Sequence, residues 1–285
     1  MTKKIPVSEK IATLLEALPY IKEFYGSTFV IKYGGAAMEE ESLKHEFAKD
    51  IVLLKYVGIN PVVVHGGGPQ IERMLTRLEI PTRFVDGLRV TDKATLEVVE
   101  MVLSGSINKE IVSNINNMGG QALGLSGKDG RLLTARKVAG KDIGFVGEVV
   151  DVNAAMIREI CRASLIPVIA PVASGLDGNS YNVNADSAAG SIAKALRAEK
   201  LILLTDVPGV LDRTLKPISV LSRGEIGDFI KDKIIKGGMI PKVKCCLDAV
   251  DGGVKKTHII DGRVSHALLV EIFTDLGIGT EISGD

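Results

Sequence analysis

Apolar residues along this chain fall into short, nearly continuous runs that alternate with helical patterns. The runs lie at 28–32, 61–65, 121–125, 166–170, 200–204 and 257–260. Runs without polar alternation are typical of strands that are buried on both faces. Helical periodicity occupies 40–57, 69–79, 92–104, 106–118, 153–164, 185–197 and 242–251. This order predicts an α/β fold, with an open, mostly parallel sheet sandwiched between helices.

Three segments depart from that rhythm. Residues 131–150 and 172–183 are short, polar and glycine-rich, which predicts hairpins. Residues 8–25 precede the first strand and carry an apolar stripe at helical spacing, with Ser8 as a candidate N-cap. Pro19 lies inside this pattern and is expected to kink the helix. Because the helix lies outside the alternating pattern, its apolar face needs a partner.

The composition narrows the class of protein. Of 285 residues, 46% are hydrophobic and 25% charged, which is ordinary for a folded enzyme. Lys+Arg and Asp+Glu are equal at 35 each, so no net charge favours nucleic acid or an anionic membrane. Three cysteines without zinc spacing, and no signal-peptide or membrane-spanning pattern, predict a cytoplasmic location.

Glycines cluster where predicted strands end. Lys32–Gly35 follows the first strand, His65–Pro69 the second, and Thr205–Gly209 the fifth. Ligands of open α/β sheets bind beyond the carboxyl ends of the strands, and glycine lets backbone amides approach an anion. One such cluster is equally well explained as a tight turn, but two clusters and a lysine favour anion binding. Neither of the first two clusters is a P-loop or a complete dinucleotide fingerprint.

Six motifs occur in the order found in the amino-acid kinase family: KYGG, VVVHGGGPQI, GLRVTD, SYNVNADSAA, LILLTDVPGVL and GGMIPKV. The resemblance runs from about residue 8 to 282, and the second and third motifs together resemble members that phosphorylate N-acetyl-L-glutamate. It implies ATP-dependent phosphorylation of the side-chain carboxylate to N-acetylglutamyl 5-phosphate, in arginine biosynthesis. It also implies one kinase domain over 26–285, with an acyl-amino-acid lobe at about 26–198 and an ATP lobe at about 199–285.

The same resemblance assigns expected roles to individual residues. Lys32, Lys242 and Asp186 would be catalytic, with Asp186 holding both lysines in place. The substrate would be bound by Gly67, Gly68, Arg89 and Asn182. ATP would be bound by Gly34, Gly35, Thr205, Asp206, Gly209, Leu211, Ile234, Lys236 and Met239. Magnesium (Mg2+) would accompany ATP, held by phosphate oxygens and water and by no protein ligand.

This chemistry is physically consistent. Phosphoryl transfer depends mainly on positioning and on neutralising charge, which two lysines can supply. A carboxylate nucleophile is already ionised at neutral pH, so no base is required. Without the motifs, Lys32 would be interpreted as a solvated strand end, Lys242 as a surface lysine and Asp186 as a helix cap.

A regulatory role is expected for residues 1–25. LLEALPYIKEFYG resembles the helix that interlocks dimers into a hexamer, a trimer of dimers, in arginine-inhibited members, and 268–282 resembles the segment that accompanies it. The hypothesis is feedback inhibition by arginine, bound near Tyr20, Lys216, Glu271 and Gly277. A PII-type partner is known for some relatives. The alternative is a helix that packs only on its own sheet.

Three other functions remain open from the sequence. A relative with the same fold could act on glutamate, aspartate or carbamate. A non-catalytic regulator that binds arginine or a nucleotide is a second alternative, although it would have no use for two lysines at one phosphate. A dehydrogenase is the third, and the incomplete dinucleotide fingerprint disfavours it.

Overall fold

The computed structural model describes residues 7–275 and 277–284. The helices are α1 (Val7–Glu16), α2 (Leu18–Phe24), α3 (Glu41–Tyr56), α4 (Gly68–Arg77), α5 (Lys93–Glu100), α6 (Asn108–Asn117), α7 (Ala154–Arg162), α8 (Ala185–Leu196), α9 (Arg223–Lys231), α10 (Met239–Asp251) and α11 (Ala267–Phe273). The strands are β1 (Thr28–Tyr33), β2 (Asn60–His65), β3 (Phe84–Val85), β4 (Leu88–Arg89), β5 (Ala122–Ser126), β6 (Leu133–Lys137), β7 (Val146–Val152), β8 (Ile166–Ala170), β9 (Val172–Gly175), β10 (Ser180–Val183), β11 (Lys200–Thr205), β12 (Val220–Ser222), β13 (Lys256–Asp261) and β14 (Thr280–Ser283).

Eight strands form the central sheet, in the order β12-β14-β13-β11-β1-β2-β8-β5. All neighbours pair in parallel except β13 and β14, which pair antiparallel. The prediction of an open, mostly parallel sheet is confirmed, and each predicted strand is present within one residue or so of its expected ends. The sheet is continuous across the expected boundary between lobes, since β1 pairs with β11.

The apolar runs are explained by two cores, one on each face of the sheet. Alternate residues of β1 belong to different cores, with Phe29 and Ile31 on one face and Val30 on the other. Helices α3, α6 and α11 cover the first face, and α7, α8 and α10 cover the second. Because both faces of each central strand are covered, polar alternation is absent from their sequences.

The two glycine-rich interruptions form hairpins, as predicted. Strands β6 and β7 pair antiparallel, and so do β9 and β10. The two hairpins then join in parallel, β7 with β10 and β6 with β9, to close a small four-stranded barrel. This closure was not predicted from the sequence. It sets the position of β10, which leads directly into α8.

One predicted helix boundary is wrong. The patterns at 92–104 and 106–118 indicated two helices separated near Gly105. The chain instead stays helical throughout, because a π-helical turn at Met101–Ile107 joins α5 to α6. Such turns are rare and often occur near functional sites. The short elements α9, α11, β12 and β14 were not predicted.

The N-terminal segment is interrupted close to the predicted kink. Its two helices α1 and α2 meet at Ala17, and Pro19 lies in the first turn of α2. Leu14 is 73% exposed and Leu15 61% exposed, so the apolar stripe of α1 faces away from its own sheet. Residues 1–6 lie outside the described residues. Within the described part of the chain, no helix is long and apolar enough to cross a bilayer.

Candidate active site

The carboxyl ends of the central strands meet at a cavity of about 230 Å³. Lys32, near the end of β1, lines it together with the two glycine turns that follow β1 and β2. Asp186, in the first turn of α8, and Lys242, in the first turn of α10, complete the wall. The structure therefore brings together the three residues that were expected to be catalytic, from positions far apart in the chain.

These three side chains form a compact charged group, here called the lysine–aspartate cluster. Lys32 Nζ lies 3.1 Å from Asp186 Oδ1, and Lys242 Nζ donates to Asp186 Oδ2 at 2.6 Å. Their side chains are only 11%, 20% and 14% exposed, in the order Lys32, Lys242, Asp186. Burial alone would raise the pKa of Asp186, but the two ammonium groups outweigh it and lower that pKa. The cluster holds one more positive than negative charge.

Local structure fixes Asp186 in this place. Asn184 is the N-cap of α8, and its Oδ1 accepts hydrogen bonds from the N–H groups of Asp186 and Ser187. Cys245 on α10 contacts the Asp186 carbonyl oxygen through Sγ at 3.1 Å. Burial raises the pKa of Cys245 to about 12, so the protonated thiol donates. A Cβ at Gly190 of α8 would lie 2.7 Å from the same sulfur, so the two helices are in close contact.

The glycines after β1 lie in close contact with charged side chains. A Cβ on Gly34 would lie 2.6 Å from Lys32 Nζ. Gly35 has φ +71, which favours glycine, and a side chain there would collide with the Asp206 carboxylate. The expected nucleotide residues Gly34, Gly35 and Asp206 therefore lie side by side, next to the lysine–aspartate cluster.

A second cavity, of about 470 Å³, shares Gly66–Gly68 with the first. It is lined by all four residues that were expected to bind the substrate, Gly67, Gly68, Arg89 and Asn182. Its walls also include the apolar side chains of Phe84, Leu88, Leu103 and Val146. The geometry suits a small molecule with both anionic and apolar parts.

Arg89 is held firmly in this second cavity. Its guanidinium donates to the Glu72 carboxylate and to the Thr82 hydroxyl, and to the Gly68 carbonyl at 3.3 Å. It also lies over the Phe84 ring, 4.7 Å from the centroid. Sequence reasoning missed Glu72. Its place three residues after Pro69, one helical turn into α4, was the only available signal.

A third cavity, of about 520 Å³, lies beyond the end of β11. Gly209, Leu211, Ile234, Lys236 and Met239, all expected to bind ATP, line it. Thr205, also expected there, is the last residue of β11. The three cavities follow one edge of the sheet. The first cavity, which contains the lysine–aspartate cluster, lies between the second and the third.

The residues expected to bind arginine are only partly brought together. Gly277 lies beside the Glu271 carboxylate, and the Tyr20 hydroxyl of α2 donates to Asp275. Lys216 is exposed, in a turn where its N–H donates to Asp212 at 3.0 Å. No contact among the described residues joins it to Glu271.

Sequence reasoning missed two polar residues in this region, and together with Glu271 they form what is here called the histidine cluster. His258 Nδ1 lies 2.6 Å from Glu271 Oε1, and Lys200 Nζ lies 3.1 Å from His258 Nε2. Burial lowers the pKa of His258, so the neutral ring donates to Glu271 and accepts from Lys200. Burial would raise the pKa of Glu271, but hydrogen bonds from His258 and the Ile278 N–H lower it. For His258, the only sequence signal of this cluster was a polar residue inside an otherwise apolar strand.

Comparison with known proteins identifies relatives of this chain. Residues 27–261 match the model of the amino acid kinase family. An acetylglutamate kinase from Thermoanaerobacter sp. (strain X514) is 60% identical over 277 residues, which cover 96% of this chain and 93% of that protein. A second acetylglutamate kinase, from Geotalea uraniireducens, is 57% identical over 287 residues, covering 97% of this chain and 98% of that protein.

A solved structure of similar shape is an N-acetylglutamate synthase from Neisseria gonorrhoeae complexed with coenzyme A and N-acetyl-glutamate. It has a TM-score of 0.87 and 28% identity, and covers 96% of this chain. The chain spans only 63% of the length of that synthase chain. A complex of the same synthase with coenzyme A and L-arginine has a TM-score of 0.80 and 27% identity, covering 96% of this chain and 65% of the synthase chain. With the family model matched over most of its length, this chain belongs to the amino acid kinase family.

Proposed function

We propose that this chain transfers the γ-phosphoryl group of ATP to the side-chain carboxylate of N-acetyl-L-glutamate. The product would be N-acetylglutamyl 5-phosphate, an intermediate of arginine biosynthesis. The observation that carries the proposal is the lysine–aspartate cluster, which lies between a cavity that contains Arg89 and a cavity expected to hold the nucleotide. The acetylglutamate kinases at 57–60% identity support this choice of substrate.

The reaction needs no proton transfer. An oxygen of the ionised substrate carboxylate forms a bond to the γ-phosphorus while the bond to the β,γ-bridging oxygen breaks, and ADP leaves with that electron pair. Lys32 and Lys242 would neutralise the charge that spreads over the equatorial oxygens, from two sides. Asp186 would keep both ammonium groups in place, because its ionised form is favoured between them.

The second cavity would hold the acylated amino acid. The Arg89 guanidinium can donate two parallel hydrogen bonds to a carboxylate, and Glu72 and Thr82 orient it in advance. The Asn182 Nδ2 donates one hydrogen to the Thr91 hydroxyl at 3.1 Å. Its second amide hydrogen or its carbonyl oxygen would bind a polar group of the substrate. Apolar side chains such as Leu103 would accept the acetyl methyl group, which free glutamate lacks.

Mg2+ would reach this site as a complex with ATP. Among the residues that the structure describes, Asp186 is the one carboxylate that lines the first cavity, and both its oxygens already face ammonium groups. Within the described residues no group of three or more His, Cys, Asp or Glu side chains has metal-binding geometry. These residues fit an ion that is held by phosphate oxygens and water. When bound, it would supply further neutralisation of the phosphate charge.

Product formation separates this function from its rivals. ADP release should be observed with N-acetyl-L-glutamate, and hydroxylamine should trap the acyl phosphate as a hydroxamate. Free glutamate, aspartate and carbamate should give little signal by comparison. A preference for any of these three would overturn the substrate assignment. ATP binding without ADP release with any of the four substrates would favour a non-catalytic regulator.

Feedback inhibition by arginine is the finer part of the proposal. The exposed apolar stripe of α1 would pair with the same helix of a second copy, building a hexamer as a trimer of dimers. Arginine would bind where α2 meets α11, near Tyr20, Glu271 and Gly277, with Glu271 as a partner for its positive groups. The structure of a similar synthase with L-arginine supports such a ligand on this fold.

Removing residues 1–24 tests this regulation. The truncated chain should keep its kinase activity and lose its sensitivity to arginine, and light scattering should show a smaller oligomer, because α1 and all of α2 are gone. Inhibition that is unchanged by the truncation would contradict the hypothesis. A PII-type partner and a cytoplasmic location remain predictions, which a pull-down with a PII protein and fractionation of cells would test.

A further inference from the structure

His65 is a fully buried histidine at the end of β2, directly before the glycine turn that both the first and second cavities share. Its Nδ1 lies 2.9 Å from the Gly66 carbonyl oxygen, and its Nε2 lies 3.2 Å from Asn108 Nδ2. Neither nitrogen faces a cavity as a free base. The chemistry described above gives this ring no role.

The contacts fix the state of the ring. A carbonyl oxygen only accepts, so Nδ1 must carry the hydrogen and donate to Gly66. Burial lowers the pKa of His65 to about 4, so the ring is neutral near pH 7. Its Nε2 is then an acceptor and receives a hydrogen bond from the Asn108 amide.

Asn108 is anchored in turn. It is the first residue of α6, directly after the π-helical turn. Its Nδ2 lies 2.9 Å from the Val168 carbonyl oxygen of β8 and 3.3 Å from that of Leu125 of β5. Its Oδ1 accepts from Lys109 Nζ at 3.1 Å. Because Oδ1 accepts from the ammonium group, the NH₂ group lies on the His65 side. Its two hydrogens serve the two nearer acceptors, the Val168 carbonyl oxygen and His65 Nε2.

The hydrogen bond from His65 determines where the next amide points. The chain has no cis peptide among the described residues, and in a trans peptide the C=O and N–H groups point in opposite directions. When His65 holds the Gly66 carbonyl on the buried side, the N–H of Gly67 must point away from the ring. Gly67 is the N-cap of α4, so this N–H has no acceptor within the helix.

Flexible residues make such an anchor necessary. A peptide between two glycines has access to orientations that side chains would forbid. Gly67 packs on Leu103 and Ile107 of the π-helical turn, which a Cβ at this position would strike. The Gly66 N–H donates to the Tyr33 carbonyl at 2.8 Å. Packing and this hydrogen bond fix the position of the turn, and the His65 contact selects one orientation of the Gly66–Gly67 peptide.

We propose that His65, held by Asn108, is a positioning residue that aims the Gly67 N–H at the oxygens of the phosphoryl group in transit. This inference rests on the proposed function, since it assumes that a phosphoryl group passes the glycine turn. Oriented backbone donors of this kind act mainly in the transition state, because they are already in place when charge develops. The effect should therefore appear in kcat more than in KM.

Two substitutions at one position separate positioning from simple packing. In His65→Asn the side-chain NH₂ takes the place of Nδ1 and can still donate to the Gly66 carbonyl. In His65→Gln the amide reaches Asn108 instead and leaves that carbonyl without a donor. We expect kcat to fall by about 10- to 100-fold in the Gln variant and by about threefold in the Asn variant. The Gln loss is smaller than the roughly 10²- to 10³-fold cost of deleting an oriented donor, because the Gly67 N–H is misdirected and not removed. KM values for both substrates should change little.

Asn116→Ala is the matched control for the Asn108 side of the network. Asn116 lies on the same helix α6, and its Oδ1 accepts from the Ala122 N–H at 2.7 Å, but it does not contact His65. Asn108→Ala and Asn116→Ala should both lower the Tm, whereas only Asn108→Ala should lower kcat. This pair also provides the test if neither His65 variant folds.

The outcomes separate this inference from the proposed function. If the wild-type chain forms no hydroxamate from N-acetyl-L-glutamate, the proposed function fails and the inference fails with it. If the wild type is active, equal losses of kcat in the Asn and Gln variants would overturn the inference alone. Full kcat in Asn108→Ala would overturn it as well.

Discussion

Two buried groups of charged side chains lie at opposite edges of one parallel sheet, and their charge balance differs. The lysine–aspartate cluster, at the carboxyl edge, has two ammonium groups around one carboxylate and opens to a cavity. The histidine cluster, towards the amino edge, has one ammonium group, one neutral ring and one carboxylate. The first carries an excess positive charge that an anion can complete, whereas the second has one positive and one negative charge. Buried charge in excess of its partners therefore marks the proposed reaction site better than burial itself.

Removing a lysine from the cluster with excess charge should have the largest effect. Lys32→Ala is expected to lower kcat by about 10²- to 10³-fold, by analogy with the loss of one oriented transition-state donor. KM for ATP should change much less, since the ammonium group acts mainly as charge develops. Steady-state ADP release measures both kcat and KM. The control is Lys255→Ala, which changes an exposed lysine paired with Glu199. Normal turnover in Lys32→Ala would show that the excess positive charge of this cluster does not mark a reaction site.

Removing the carboxylate from the balanced cluster should act on folding. Glu271→Gln removes one of the negative neighbours of Lys200 and weakens the hydrogen bond from the Ile278 N–H. The free energy of unfolding should fall by about 1–3 kcal/mol, the usual cost of a buried group left without its partner. Urea unfolding measures this change. A variant as stable as the wild type would show that the cluster does not depend on its charge balance.

Acid should convert the balanced cluster into one with excess charge. The folded pKa of His258 lies below its unfolded value of about 6.5, so the unfolded chain binds more protons as the pH falls below that value. Stability is therefore complete above about pH 6.5 and declines below it, by at most about 1.4 kcal/mol per pH unit for one group.

The variant His258→Gln isolates this contribution. It removes the titrating ring and should make the decline in stability below pH 6.5 less steep. Comparing the two proteins at each pH cancels the contributions of His65, whose pKa is also lowered, and of Asp50, whose burial raises its pKa to about 6. Parallel pH curves for the wild type and the variant would show that His258 has the same pKa in both states.

The sequence allowed the sheet and one of the two clusters to be predicted. Continuous apolar runs specify strands covered on both faces, and the ends of parallel strands must share an edge, so Lys32 and the glycine turns were expected together. Lys242 and Asp186 were expected there only from their motifs, because each begins a helix whose place in space no local pattern defines. Their convergence is a property of the whole fold.

The histidine cluster was not predicted, for a physical reason. Periodicity reports how much of each segment is buried, but not which distant polar groups meet inside. His258 interrupts an apolar strand and Lys200 begins one. Their partner lies on α11, which spans only seven residues and gives too short a pattern to predict. The closed barrel and the π-helical turn were missed for the same reason, since non-local pairing and packing decide both.

The close contact of α8 and α10 at Gly190 ties the geometry of the proposed catalytic residues to a position that lines none of the three cavities. Asp186 belongs to one of these helices and Lys242 to the other, so the gap between the helix axes sets how far apart their charges lie. A single added methyl group at Gly190 would act as a wedge, spreading the pair without touching ATP or the acyl amino acid. Screens that rank positions by proximity to substrate would overlook this glycine.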